Sequence, residues 1–421
     1  MHSLEAAPQN ISPRLGPGGV PLALWGLVGA TTVLFLSNAM LPAMLEPVVK
    51  ARFGLTDRQV SMFFILPALA HLMFGLAVGY FSDRQGRRMP LLAWSYFGVA
   101  AMTAVLPFLQ SYTAMLAVRF LWGVADAVAA TLLFAKAADL SEHTGKGRAM
   151  AVMGMAVSVG YLIGQPVAAL ADLRPELPFL ATALATGAVG AAFLRQSGAP
   201  ESLAATTHRI LPALRRILPV RALWPALLFG FVDKYTFAAI ALLTGTHIAT
   251  AFGDGSVLTP ALAIAGFWIG SLAAAWPSGV ATDRFGAMPV MLAASAVYGL
   301  CLAAMGAVGI GGFYALMAVC GGFSALMYTP SVALVARHAP ADLRGAAMAV
   351  FQLVGMLGLI LGFAATGILS ARFGSGAAYA VAGSFELVAV ALVGGAIWLR
   401  RASAEGPAVE APAPGRTAPH P

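Results

Sequence analysis

The sequence predicts an all-α membrane protein with twelve transmembrane helices in two pseudo-symmetric six-helix halves. Three observations carry that prediction. The first is composition: 59% of the 421 residues are apolar and 10% charged, against about 45–50% and about 25% in soluble domains. The second is a succession of long apolar runs; at roughly 20 residues per span, twelve spans use about 240 residues and leave the rest for loops and tails. The third is a repeat. Gly79 to Leu91 reads GYFSDRQGRRMPL, and two hundred residues later Gly279 to Pro289 reads GVATDRFGAMP. Asp83, Arg84, Arg87 and Arg88 are costly in hydrocarbon, so this stretch is read as a charged loop at a membrane surface.

In chain order, residues 1–20 are polar, rich in Pro and Gly, and expected to be a disordered tail. Helix one is expected over about 21–45, with Ser37 and Asn38 mid-span and an end near Pro42, Glu46 and Pro47. Helices two to six follow at about 59–79, 90–109, 113–134, 149–171 and from Pro178 to Arg195. The stretch 196–221 is read as a linker between halves. Its alternation of basic and apolar residues suits either a helix lying on the leaflet or a solvated segment held near lipid by charge. Helices seven to twelve are expected near 222–246, 257–278, 289–309, 313–336, 347–370 and 377–399, and residues 401–421 as a second disordered tail. The halves are thus 21–195 and 222–400.

The repeat runs beyond the charged loop. Ala149-Met150-Ala151-Val152 recurs as Ala347-Met348-Ala349-Val350, and Gly160 and Gly164 recur as Gly358 and Gly362. These glycines are expected to let helices approach closely, with a packing role across the halves as one option.

The formal charge of +8 reads as topology rather than as an affinity for nucleic acid. With the first helix entering from the cytoplasm, eighteen Lys and Arg fall in inner loops and tails and five in outer loops (Lys50, Arg52, Arg58, Arg174, Arg372), leaving Arg119 and Lys234 inside the membrane. That bias predicts both termini in the cytoplasm. No signal-peptide pattern opens the sequence, Cys301 and Cys320 have no metal or redox spacing, and no G-x-x-x-x-G-K-[ST] loop is present to drive an ATP-powered pump.

The G-x-x-x-D-R-x-G-R-R loop, placed between helices two and three and repeated in the second half, resembles the signature of the major facilitator superfamily, and the resemblance spans the chain apart from its tails. It implies the major facilitator fold, alternating access, and a substrate site between the halves at the bilayer midplane. It also implies that Asp83 and Arg87 latch the inner gate against helix eleven, with Arg84, Gly79, Gly86, Asp283 and Arg284 in the same gating loops.

Ionisable groups inside the spans are the candidate site, since each costs roughly 2.5–3.5 kcal/mol or more at the bilayer centre. Asp233 lies nine residues in from Trp224, about 14 Å at 1.5 Å per residue, close to the middle of a ~30 Å core. Lys234 follows it. Neighbours on a helix point about 100° apart, so each is expected to need its own partner. Overlaying helix one on helix seven sets Phe35, Ser37 and Asn38 opposite Phe231, Asp233 and Lys234, which would place four polar groups at one depth.

In helix four Arg119, Gly123 and Asp126 share one stripe. RFLWGVADA resembles the R-x-x-x-G pattern of proton-coupled efflux members, which implies an arginine tuning a nearby proton-binding carboxylate. Two helical turns, about 10 Å, separate Arg119 from Asp126, too far for contact unless the arginine reaches along the helix. In helix five the glycine pattern departs from that group's adjacent Gly-Pro, because Gln165 stands between Gly164 and Pro166. Tyr328 in helix ten is expected to line the cavity. His71 is read as a satisfied core histidine, and Glu386 as structurally paired or exposed at the outer interface.

The function expected is secondary active transport without enzyme activity, metal or other cofactor. The leading form is proton-coupled export of a small amphipathic or hydrophobic organic compound by a monomer in the plasma (inner) membrane. The alternative is uptake of an organic acid, with Arg119 and Lys234 binding its charge. The partners are the small-molecule substrate, protons and the lipid bilayer, and no nucleic acid.

Overall fold

The computed structural model describes residues 22–85, 88–140, 146–196, 215–340 and 343–404. Among them every regular element is a helix, with no strand. Helix α1 (Leu22–Ala39) continues through Leu41–Met44, a π-turn over Leu45–Lys50 and Ala51–Phe53. Then come α2 (Asp57–Gln85), α3 (Arg88–Val105), α4 (Tyr112–Leu140), α5 (Lys146–Ala169), α6 (Leu177–Gln196), α7 (Trp224–Phe252), α8 (Leu258–Phe285), α9 (Ala287–Ala304) and α10 (Ile310–His338). The last stretch, Arg344–Ala404, is broken at Gly374 (φ 83, ψ 164), which separates α11 (344–373) from α12 (375–404). A φ in that range is open to glycine and strained for other residues. With that division, twelve apolar rods result among the described residues.

The helices outrun their expected limits because the charged loop residues are themselves helical. Pro42 and Pro47 do not stop α1. Pro42 sits in the first turn of a renewed helix, where its missing N–H costs nothing, and Pro47 falls within the π-turn. The signature stretch is likewise mostly not a loop. Asp83 and Arg84 ride on the last turns of α2 and Arg88 opens α3. Its second copy turns at Gly286 (φ 87) between Phe285 and Ala287. The linker reading over 196–221 falls largely outside the described residues, which resume at 215.

The glycine repeat decides the internal packing. A Cβ on Gly160 would meet Thr32 O, and one on Gly164 would meet Ala39 Cβ, so α5 lies directly on α1. A Cβ on Gly358 would meet Phe231 O, and one on Gly362 would meet Tyr235 O and Ala238 Cβ, so α11 lies directly on α7. Each pair packs within its own half rather than across the halves. Thr32 therefore answers Phe231 and Ala39 answers Ala238, an offset of 199 (231 less 32, 238 less 39). This register corrects the overlay expected from sequence by three residues. Ser37 corresponds to Thr236 and Asn38 to Phe237, while Asp233 and Lys234 correspond to Leu34 and Phe35. Asn38 of α1 and Asp233 and Lys234 of α7 therefore have no polar symmetry mates, and only the hydroxyls of Ser37 and Thr236 correspond.

The halves meet through α1 with α7, α2 with α11 and α5 with α8. The contacts gather toward the end of the bundle where α1 passes into α2, the far end, opposite the tail end at residues 22 and 404. Phe64 stacks on Phe363 (4.9 Å, 9°). Thr246 donates to Glu46 Oε2 (2.7 Å) and Ser370 to Asp57 Oδ2. Lys50 ties Glu46 (3.1 Å) to Asp57 (2.9 Å). Asp172, beyond α5, caps the start of α8 by accepting from the N–H groups of Val257 (2.8 Å) and Leu258 (2.9 Å). Helix starts attract such carboxylates because their first amides lack partners. The far end is closed by these contacts.

Candidate functional site

In the N-terminal half the site begins with backbone approach. A Cβ on Gly123 would meet Pro67 Cα at 2.5 Å and Pro67 O at 2.7 Å, so α4 and α2 touch there. His71, one turn beyond Pro67, then lies beside Asp126, one turn beyond Gly123. His71 Nδ1 is 3.4 Å from Asp126 Oδ2, and Asn38 Nδ2 donates to Asp126 Oδ1 (3.4 Å). Asp126 is thus held by two groups from two other helices. His71, read from sequence as a core histidine, is a partner of this acid, because the glycine contact sets the register between α2 and α4.

Arg119 does not join them. It is buried, its Nε donates to Phe63 O (3.3 Å), and its guanidinium lies between the rings of Phe63 (4.6 Å) and Trp122 (4.4 Å). Cation–π contacts are worth about 2 kcal/mol or more when desolvated. Trp122 is itself fixed by donating from Nε1 to Thr103 Oγ1 (3.0 Å). No ion pair joins Arg119 to a carboxylate among the described residues, although Asp126 remains within its electrostatic reach. The two-turn separation holds.

In the C-terminal half Asp233 and Lys234 do pair, against the expectation that neighbours point too far apart. Lys234 Nζ curls back to 3.2 Å from Asp233 Oδ2, since its four-carbon stem spans the angle between adjacent positions. Ser324 donates to Asp233 Oδ1 (3.2 Å). The Asp233 side chain is 4% exposed and that of Lys234 37%. Lys234 Nζ also sits 5.2 Å from the Tyr328 ring and 5.9 Å from that of Phe237, and Gln352 Nε2 donates to Tyr328 Oη (3.3 Å).

Tyr161 connects the two clusters. Its ring stacks on Trp268 of the other half (4.3 Å, 13°), lies 5.9 Å from Phe35 and 6.5 Å from Phe237, and is within electrostatic reach of both Asp126 and Lys234. Sequence reasoning missed Tyr161, Trp268 and Gln352, because aromatic and amide residues inside apolar runs carry no cost signal like that of a buried charge.

Ser37 is brought to neither cluster; its hydroxyl donates to Leu34 O (2.6 Å) within its own helix. Of the gating residues, Asp283 and Arg284 are exposed at the end of α8. Gly79, Asp83 and Arg84 belong to α2, and Gly86 and Arg87 lie outside the described residues. Among the described residues no group of three or more His, Cys, Asp or Glu could hold a metal ion.

The sequence profile described as "Major Facilitator Superfamily" matches residues 27–253 and again 227–419. The chain belongs to the Major Facilitator Superfamily. No curated protein matches it in sequence. Solved structures of the superfamily share its fold. A mutant of the nucleoside transporter NupG matches with TM-score 0.76 at 12% identity, covering 87% of this chain and 98% of that one. A bacterial homolog of the human lysosomal transporter Spinster, inward-facing and unoccupied, gives 0.70 at 14%, covering 90% and 95%. A D-xylose–proton symporter gives 0.71 at 15%, covering 87% and 95%. The protein is a major facilitator transporter, not an enzyme, and spans the membrane many times.

Proposed function

We propose that this major facilitator transporter is a proton-coupled antiporter that exports a small amphipathic or hydrophobic organic compound. The contact that carries the reading is Asp126 with His71, a carboxyl and an imidazole sharing a site inside the membrane, where a proton gained or lost changes the local charge. Asp233, Lys234 and Ser324 form the counterpart across the seam. Tyr161, Trp268, Phe237 and Tyr328 supply aromatic faces between them, suited to a flat or apolar cargo. A fold-mate named as a proton symporter supports proton coupling. Arg119 acts by positioning Phe63 and Trp122 and by its field on Asp126, and Asn38 by holding the acid.

In this reading the tail end faces the cytoplasm of the plasma (inner) membrane, the protein works as a monomer, and halves 21–195 and 222–400 rock about the site. Closure at the far end leaves loading from the tail end. Asp83, Arg87 and their neighbours Gly79, Arg84 and Gly86, with Asp283 and Arg284, form the tail-end gate. A second reading, uptake of an organic anion, is favoured by one observation: Lys234 is the exposed member of its pair.

Proteoliposomes loaded with a pH-sensitive dye test both. Lipophilic cations, neutral amphiphiles and organic anions are added in turn to the wild type, Asp126→Asn and Asp233→Asn. Proton flow opposite to a cation or neutral amphiphile, lost in the variants, is the expected result. Flow in the same direction as an anion favours uptake. Substrate flux with no proton movement, and unaffected by either substitution, sinks the proton-coupled mechanism.

A further inference from the structure

Glu386 on α12 is fully buried, and the transport mechanism above does not use it. It lies behind α7, on the side away from Lys234. Thr236, which it touches, is two residues past Lys234 and so about 160° around the helix from it, but only three past Asp233. Gly299 of α9 makes the room, since a Cβ there would meet Glu386 Cβ at 3.0 Å and Cγ at 3.1 Å.

Few hydrogen bonds reach this carboxyl. Oε2 lies 3.3 Å from Thr236 Oγ1. Thr236 has one hydroxyl hydrogen, and its nearest acceptor is Val232 O at 2.9 Å, with Asp233 O at 3.1 Å. The same hydroxyl is also within reach of Glu386 Oε2 as a donor, so its single hydrogen is shared among three acceptors and offers the carboxyl at most one weak bond. Oε1 has no hydrogen-bond partner among the described residues. The Ser295 hydroxyl is within hydrogen-bonding reach of the carboxyl and also lies 2.7 Å from Met327 Sδ.

The groups facing Glu386 are Asp233 from α7, Tyr298 from α9 and Cys320 from α10, and none is a cation. A buried carboxylate without counter-charge is strongly disfavoured, and two carboxyls that feel one another resist being ionised together. Asp233 has Lys234 and Ser324 to hold its charge; Glu386 has neither.

We propose that Glu386 is a second proton-binding site of the C-terminal half, occupied while the far end is closed and Lys234 neutralises Asp233. Its part in transport rests on the proton-coupled reading, whereas its occupancy does not. Difference infrared spectroscopy of the full-length protein in lipid, prepared with isotope-labelled glutamate, tests it without substrate. The expected result is a labelled carboxylic-acid C=O band at neutral pH that disappears in Glu386→Gln. In Asp233→Asn the same band weakens at a fixed alkaline pH, because the neighbouring negative charge is gone and Lys234 is left uncompensated. If Glu386→Gln does not assemble, Glu386→Asp must remove the labelled glutamic-acid band in its place. A wild type without the band, or a band that survives substitution at 386, overturns the site. A band indifferent to Asp233→Asn overturns its link to Asp233. Proteoliposomes that move no proton would sink the coupling mechanism and leave the infrared result to stand or fall by itself.

Discussion

The two halves share a backbone plan and differ in their polar chemistry. Gly160 and Gly164 seat α5 on α1 as Gly358 and Gly362 seat α11 on α7, with the same register. Yet the acid of the N-terminal half is on α4, held by His71 and Asn38 at 3.4 Å each. That of the C-terminal half is on α7, held by Lys234 and Ser324 at 3.2 Å each, with a further acid behind it. Close helix contacts admit little besides glycine, so duplication preserves them. A polar side chain needs only some partner within reach, and that partner can come from any neighbouring helix. Symmetry is thus a guide to the scaffold and a poor one to the site.

The sharpest break in this comparison is expected at the acids. Asp233→Asn removes the counter-ion of Lys234, while Asp126→Asn leaves an amide that His71 and Asn38 can still bond. Substrate counterflow, which needs no net proton movement, should fall more in Asp233→Asn than in Asp126→Asn, by roughly tenfold, or about 1.4 kcal/mol. Parallel initial-rate measurements in proteoliposomes check it, and equal losses would make the clusters equivalent. Next come the glycines. Gly160→Val and Gly358→Val should each cost about 1–3 kcal/mol of stability through overpacking, by similar amounts, read as matched drops in thermal midpoint in detergent. A clear mismatch would break the shared register.

A smaller effect is expected at the seam. Asp172→Ala leaves the first amides of α8 uncapped and should weaken far-end closure by about 1 kcal/mol. The readout is a larger population of long distances between spin labels at Arg58 and Arg372. The smallest is local. Asp254, outside the membrane in the α7–α8 loop, accepts from Thr259 Oγ1 and Ser256 N. Those bonds, the Thr259 one foremost, hold its carboxyl below the ordinary 3.8. Its contribution to loop order is therefore present above pH 3.8 and lost as pH falls through the lower folded value. Hydrogen exchange at Ser256 should separate Asp254→Asn from the wild type at neutral pH and not in strong acid.

Much of the fold was legible because hydrocarbon imposes simple demands: long apolar runs, charged ends and small residues at contacts. The superfamily was legible from Gly79, Asp83, Arg84 and Gly86 and their second copy. Of the candidate site, the sequence marked only the charges, Asp126, Asp233 and Lys234, and Arg119, which stands apart from them on Phe63 and Trp122. The partners of His71 and Glu386 were not legible, because one polar residue in an apolar run says nothing of what faces it. Ser37 was overvalued because a hydroxyl inside a helix can satisfy itself on a carbonyl three residues back. The lysine's return to its own neighbour, and the three-residue slip between α1 and α7, follow from stem length and helix packing, which residue spacing does not encode.

The corner at Gly374 has a mechanical meaning. Four residues before it, Ser370 is tied to Asp57 of the other half; one residue after it, Ser375 is tied to His247 of α7 (2.9 Å). Parting the halves at the far end must cut the first tie and can leave the second whole. The corner would then travel as freight with α7, and α12 with it, so the wall behind Asp233 keeps its shape while the wall in front swings away.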